Sequence, residues 1–165
     1  MTKAWFYRGP PMEQLHVQYA KQRRVDDRAP VHAADEVQID VPVGRLWNLL
    51  SDPTGWPDID ERIHSVRLDS AVHVDAYFDW ANGRSRMRSR FAVVDRDREI
   101  SWSGSAAGIR AVHRHVLEPL GAGRTRLSSL ESMSAPLLVA VFPSRKLQAT
   151  LTSWLHAVKV AAERR

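Results

Sequence analysis

The chain has 165 residues, 44% hydrophobic and 26% charged, the proportions of one folded domain around a single core. Of its net charge of +5, +3 sits in residues 1–30, where Lys3, Arg8, Lys21, Arg23, Arg24 and Arg28 face Glu13, Asp26 and Asp27. The remainder is nearly neutral and shows no clustered basic face with stacking aromatics, which argues against a nucleic-acid partner. The absence of Cys excludes disulfides and thiolate chemistry. The longest apolar run, 136–142, falls far short of the roughly 18 to 20 residues of a membrane span, and the N-terminus lacks the apolar core of a signal peptide. Neither membrane insertion nor secretion is expected, and the cytoplasm is the default location.

In chain order, residues 1–30 read as a basic appendage with a short helix over 12–24, in which Leu15, Tyr19 and Val25 form a narrow apolar stripe; a partly ordered tail is expected. A single domain is expected over 31–165. It opens with a strand whose Val37, Ile39 and Val41 share one face. Pro42 ends that strand. Val43, Leu46, Trp47 and Leu50 then recur at helical spacing, and Asp52-Pro53 starts a second short turn or helix. Extended structure resumes over 63–68.

The stretch 72–94 reads as a β-hairpin. Val74, Ala76, Phe78 and Trp80 alternate with polar residues, and Asn82-Gly83 is the pair favoured in a type I′ turn. The return strand carries Ser85, Met87, Ser89, Phe91 and Val93 on one face and Arg84, Arg86, Arg88 and Arg90 on the other. With Ala81 opposite Arg84, the expected facing pairs are Asp79 with Arg86, Tyr77 with Arg88 and Asp75 with Arg90, a ladder that largely neutralises the arginines. Three more strands follow: one with Ile100, Trp102 and Gly104 on a face, one with Ala111, His113, His115 and Leu117, and one with Leu127, Ser129, Glu131 and Met133. After a break at Pro143, Leu147, Leu151, Trp154, Leu155, Val158 and Ala162 mark a long amphipathic C-terminal helix.

Seven strands, two short helices after the first and one long final helix make an α+β layout, a curved antiparallel sheet around a helix. Val41-Pro42-Val43 leading into Leu46-Trp47, then Asp52-Pro53, Trp56-Pro57, Gly104, Gly108, His113-x-His115, Glu118-Pro119-Leu120, Gly123-x-Thr125 and Glu131-Ser132 give this order a familiar form. Over about 31–163 the chain resembles the START-like (helix-grip) superfamily, in particular its polyketide cyclase/dehydrase-type lipid-transport members. That resemblance implies a helix-grip fold, also called START/Bet v 1-like, whose long helix closes an apolar cavity for lipids, sterols or polyketides. His115 departs from it, standing where an aromatic residue is more usual.

The same-face sets give an expected cavity lining of Phe78, Trp80, Met87, Ser89, Phe91, Trp102, Ala111, His113, His115, Leu127, Ser129, Glu131 and Met133, with Leu147, Leu151, Trp154 and Leu155 from the helix. Apolar walls with a few convergent polar groups suit a hydrophobic small molecule bearing hydroxyl or carbonyl functions. If residue 117 faces 125, His113 lies opposite Ser129 and diagonal to Glu131, close enough for an acid–base pair, with His115 and Ser89 free to orient a substrate oxygen. A carrier or sensor of a polyketide, lipid or isoprenoid-like compound is the first reading. A cyclase or aromatase using His113 and Glu131 is the second. Two histidines at i and i+2 with one carboxylate do not make a zinc site, no nucleotide or serine-hydrolase motif is present, and no cofactor is expected. The acidic cluster Asp58, Asp60, Glu61 is read as a solvated loop face or a gate at the cavity mouth. Open sheet edges leave room for a homodimer.

Overall fold

The computed structural model describes residues 5–164, so the first four residues of the N-terminal prefix lie outside the described ones. Seven strands form one antiparallel sheet: β1 (Val31–Ile39), β2 (Ile63–Leu68), β3 (Tyr77–Asn82), β4 (Ser85–Asp95), β5 (Glu99–Ala106), β6 (Ile109–Gly121) and β7 (Arg124–Ser134). Their spatial order is β1-β7-β6-β5-β4-β3-β2, so only the β1–β7 pairing joins strands distant in sequence. In the gap between β1 and β2 lie α2 (Val43–Leu50) and a 3₁₀ turn, Pro53–Asp58. Leu46, Trp47 and Leu50 are buried at the expected spacing. Asp52 caps the 3₁₀ turn by accepting from the Thr54 amide at 3.1 Å.

The long helix, α4 (Ser144–Glu163), starts where Pro143 fixes an extended residue and buries Leu147, Leu151, Trp154, Leu155, Val158 and Ala162. All six are the positions expected from the periodicity. Its N-terminal half packs with Val31 and Leu138, and its C-terminal half joins the main core around Trp56, Phe78, Phe91, Ile100 and Leu127. Trp56 stands at the centre of that core, with ring centroids 5.2 to 6.0 Å from Trp102, Trp80, Phe78 and Trp154. Phe78 stacks on Phe91 at 4.4 Å. A buried aromatic of this kind is worth about 3–5 kcal/mol against alanine.

Two registers differ from those expected. In the β3–β4 hairpin the turn is Gly83-Arg84, not Asn82-Gly83: Asn82 pairs with Ser85, and of the turn residues only Gly83 has positive φ. A glycine at the first turn position is the type II′ preference, and it keeps Asn82 within the strand. Facing pairs shift by two, to Asp79 with Arg88 and Tyr77 with Arg90. Val74 is exposed and precedes the strand, and Asp75 turns through φ 73° to reach Arg90 at 2.9 Å. In the β6–β7 hairpin Ala122-Gly123, both at positive φ, form the turn, and a bulge between Pro119 and Gly121 lengthens β6. A proline at a bulge gives up no ladder bond. Leu117 therefore faces Leu127 rather than Thr125, and His113 stands directly opposite Glu131 instead of diagonal to it. Both shifts are even, so every side chain keeps its face.

The sheet's other face is also covered. Residues 12–22 form one helical segment that opens as α1 (Met12–Gln14), widens to a π turn over Leu15–Tyr19 and tightens to 3₁₀ over Ala20–Gln22. Leu15 and Ala20 bury against Ala92 and Val112, which point away from α4. His16 is sealed between Ser103 (2.8 Å) and Asp75 (2.8 Å), and burial lowers its pKa. Described residues of the prefix thus pack on the sheet, and β5 becomes buried on both faces.

Candidate functional site

Between the concave face of the sheet and α4 lies a pocket of about 130 Å³. Its walls come from strand residues Trp80, Met87, Trp102 and Met133, from Trp56 and Ile63, and from Phe142, Leu147, Leu151 and Trp154 of the C-terminal region. His113, His115 and Glu131 supply polar groups on one wall, and Asp60, Arg62, Asn82 and Thr150 supply the others. The structure thus brings together Trp80, Met87, Trp102, His113, His115, Glu131, Met133, Leu147, Leu151 and Trp154 of the expected lining. Phe78, Phe91, Leu127 and Leu155 lie beneath it in the packed core. Ser89 and Ser129 are buried as well: Ser89 accepts from the Trp80 indole at 3.1 Å, and Ser129 bonds His115 at 2.7 Å. Ala111 pairs with Met133 but is no part of the lining.

Trp56, Arg62, Ile63, Asn82, Phe142 and Thr150 line the pocket without having been expected to, and of the acidic cluster weighed as a gate at the cavity mouth Asp60 reaches the lining, while Asp58 and Glu61 do not. All but Thr150, a polar residue of α4 beside Leu151, are carried by loops, short turns or strand ends, where periodicity gives no face. Trp56-Pro57 in an otherwise polar loop, next to the acidic cluster, was the available signal. Asp60 is clamped by Arg62 through Nε (3.0 Å) and Nη2 (2.7 Å), and these hydrogen bonds hold its carboxyl below the usual range. The half-exposed Arg62 marks the solvent side of the pocket.

The polar wall is a continuous chain of contacts. Glu131 Oε2 lies 3.0 Å from His113 Nδ1, His113 Nε2 lies 3.1 Å from His115 Nε2, and His115 Nδ1 lies 2.7 Å from Ser129 Oγ. Trp154 Nε1 donates to His115 Nε2 at 3.1 Å. The imidazole of His113 also stacks on Trp102, 4.6 Å between centroids with planes 2° apart. Burial, reinforced by the neighbouring His113, pushes the His115 pKa well below its ordinary value, so its ring is neutral.

Hydrogen-bond accounting assigns the protons. An indole can only donate, so His115 Nε2 is bare and its hydrogen sits on Nδ1, donated to Ser129. His113 Nε2 must then donate to the same bare nitrogen. That leaves His113 Nδ1 facing Glu131 Oε2 with one further proton between them, on the imidazole or on the carboxyl. Each partner retains 12% side-chain exposure, so the pair reaches the pocket while its back is fixed by His115 and Trp154. The arrangement can donate a proton to a ligand oxygen or accept one. Among the described residues no group of three or more His, Asp or Glu is placed to hold a metal ion.

A family model described as polyketide cyclase / dehydrase and lipid transport matches residues 30–163. The chain belongs to this family, and the helix-grip layout above is that of its structural neighbours. A hypothetical protein from Helicobacter pylori is similar at 14% identity, with 83% of this chain and 90% of that chain covered and a TM-score of 0.75. The Zhui aromatase/cyclase from a Streptomyces species is similar at 20% identity, covering 81% and 94%, with a TM-score of 0.68. Truncated norcoclaurine synthase from Thalictrum flavum is similar at 14% identity, covering 81% and 94%, with a TM-score of 0.65. At these identities the likeness is one of fold. No curated protein matches the sequence.

Proposed function

We propose that this member of the family holds a hydrophobic small molecule in the pocket under α4, as its carrier or sensor. The observation that carries the reading is the composition of the pocket: walls of tryptophan, methionine and leucine, with the Glu131–His113 pair as a buried polar anchor. A cavity near 150 Å³ lined by apolar side chains holds a benzene-sized ring, so about 130 Å³ accommodates the head of a planar ligand. A longer polyketide or isoprenoid-like molecule enters if Met87, Met133 and Phe142 turn aside, and two of these are the most adaptable of apolar side chains. The ligand's hydroxyl or carbonyl would meet the pair, which can serve either.

Four tryptophans line the pocket, so ligand entry is readable by intrinsic fluorescence. Titration with 2-naphthol should give saturable quenching that Leu151→Trp, by filling the pocket, abolishes. The absence of saturable quenching with naphthol and with bulkier planar phenols sinks the reading. Native mass spectrometry of the protein from its own host, followed by denaturing extraction, would identify a resident ligand.

The hydrogen bond between Glu131 and His113 at the pocket wall favours a second reading, a cyclase or dehydratase of poly-β-ketone compounds. Such a reaction removes a proton beside a carbonyl and delivers one to an oxygen, and the Glu131–His113 pair can do both in turn. Glu131→Gln and His113→Gln should then each stop product formation while 2-naphthol still binds. Unchanged turnover in both variants overturns the enzymatic reading and leaves the carrier reading standing.

A further inference from the structure

Four large apolar side chains are exposed at one place in the fold. The segment 135–142 carries Leu137 (51% exposed) and Val141 (67%), one helical turn apart at the start and end of α3 (Leu138–Val141), while Leu138 anchors it from below against Leu147 and Leu151. Trp5 (46%) and Phe6 (65%) belong to the same patch, because the Leu137 amide donates to the Trp5 carbonyl at 2.6 Å. Leu137 adopts φ 62°, a left-handed backbone uncommon for leucine, and it points the side chain outward. Isolated exposed apolar residues need no explanation, but this cluster gathers half of the eight large ones on the molecule's described surface.

The exposed charge along the two chain stretches that form the patch has one sign, the Asp26 carboxylate that accepts from Tyr7 being buried. Residues 1–12 and 132–162 contain Lys3, Arg8, Arg145, Lys146 and Lys159 and not one Asp or Glu. Of these, Arg8, Arg145 and Lys146 are exposed close along the chain to the patch, and Lys146 bonds the Val141 carbonyl at 2.9 Å. A second copy of the chain docked here about a two-fold axis would bring these cations against their own counterparts. An anionic surface would meet them with opposite charge, and tryptophan and phenylalanine are side chains that lodge at the headgroup boundary of a bilayer.

We infer that this tip, Trp5, Phe6, Leu137 and Val141 framed by Arg8, Arg145 and Lys146, docks peripherally on anionic phospholipid. No helix among the described residues is long and apolar enough to cross a membrane, so the contact is one of surface burial. Docking sets the bilayer beside the pocket, because Phe142, Leu147, Thr150 and Leu151, from the same stretch of chain, line it. As a route for ligand from bilayer to pocket the inference rests on the ligand-binding reading; the docking itself does not.

The test is co-sedimentation of the full chain with vesicles of phosphatidylcholine alone and of phosphatidylcholine mixed with phosphatidylserine, at low and high salt. Binding should require phosphatidylserine, weaken at high salt, and drop roughly fivefold for each charge removed in Arg145→Gln and Lys146→Gln. Leu137→Ser with Val141→Ser should lose the vesicles while retaining the parent's circular dichroism and 2-naphthol binding. Failure to sediment with phosphatidylserine vesicles at low salt overturns the proposal. So does a dimer in solution that the Leu137→Ser, Val141→Ser variant dissolves. Neither outcome touches the naphthol titration, so the two readings fail separately.

Discussion

Trp154→Phe probes the proton chain of the site at the residue that sets it. The substitution keeps an aromatic ring against Trp56 and removes the single indole N–H that donates to His115 Nε2. Losing that hydrogen bond costs about 0.5–1.5 kcal/mol, at the lower end because His113 still faces the same nitrogen. The smaller ring removes two carbons and the nitrogen from a nearly buried position, about 1.5 kcal/mol at roughly 0.8 kcal/mol per buried carbon. The sum, about 2–3 kcal/mol, is measurable by urea denaturation against a typical total of about 5–15 kcal/mol. The sharper consequence is chemical. With the indole gone, His115 is free to carry its hydrogen on Nε2, donate it to His113 and accept from Ser129. His113 then needs only its Nδ1 hydrogen toward Glu131, and the extra proton leaves the pair. Nitrogen-15 spectra of the imidazoles at neutral pH should show His115 as the Nδ1–H tautomer in the parent and the Nε2–H tautomer in the variant. A parent His115 already in the Nε2–H form, or a variant that keeps the parent's tautomer, refutes the reasoning.

Stability should fall as the solution is acidified below about pH 6.5. His115 and His16 both have folded pKa values depressed by burial, so the unfolded chain binds their protons first and each contributes a slope of up to about 1.4 kcal/mol per pH unit. Their stabilisation is complete above the unfolded pKa and is lost as pH falls toward the folded ones; a flat urea midpoint between about pH 7 and pH 5 contradicts this. Glu99 is buried on the outer face, and although burial pushes its carboxyl up, Arg114 and Ser101 outweigh that and hold it below the usual range. Glu99→Ala should cost about 3–5 kcal/mol by stranding Arg114, and a loss below about 1 kcal/mol in urea denaturation would show the pair to be dispensable. At Gly104 an added Cβ would stand 2.7 Å from Ser89 Oγ and 3.2 Å from the Arg88 carbonyl. Gly104→Ala should destabilise by about 1–3 kcal/mol, and Ser89→Ala in the same chain should recover part of it; strict additivity of the two in thermal melts would show that they do not touch.

The fold was legible because its signals are periodic. Alternation in β4, β6 and β7 and the six-residue stripe of α4 each report a face, and a face survives any even register error. The turns are different. Asn82-Gly83 is a sound type I′ signal, yet Gly83-Arg84 satisfies type II′ with the same glycine, and the choice between them lies in the cross-strand contacts of Arg88 with Asp79 and Asp69. Likewise the proline of Glu118-Pro119-Leu120 is a local hint of irregularity, but no local pattern says that an extra residue falls between Pro119 and Gly121 and moves the register by two. The packing of the prefix did leave a trace. Ser101, Ser103 and Val112 occupy outward positions where a solvated strand would carry charge, and all three are buried beneath the prefix or the Glu99 network.

The site was legible one strand at a time. Alternation could place His113, His115, Glu131, Ser129 and Trp102 on the concave face, but alternation has no depth, so it could not separate the floor of Phe78, Phe91 and Leu127 from the wall that the pocket exposes. Depth is decided by Trp56, which enters from a loop and fills the middle of the sheet. A tryptophan there divides the concave face into a packed half and an open half, and the division puts the Glu131–His113 pair on the open side. The polar chain behind the pair is likewise a property of two elements at once. His115 is an oddity on its strand until α4 brings Trp154 against it, and then its tautomer, its neutrality and the proton left to Glu131 and His113 follow from a single indole N–H.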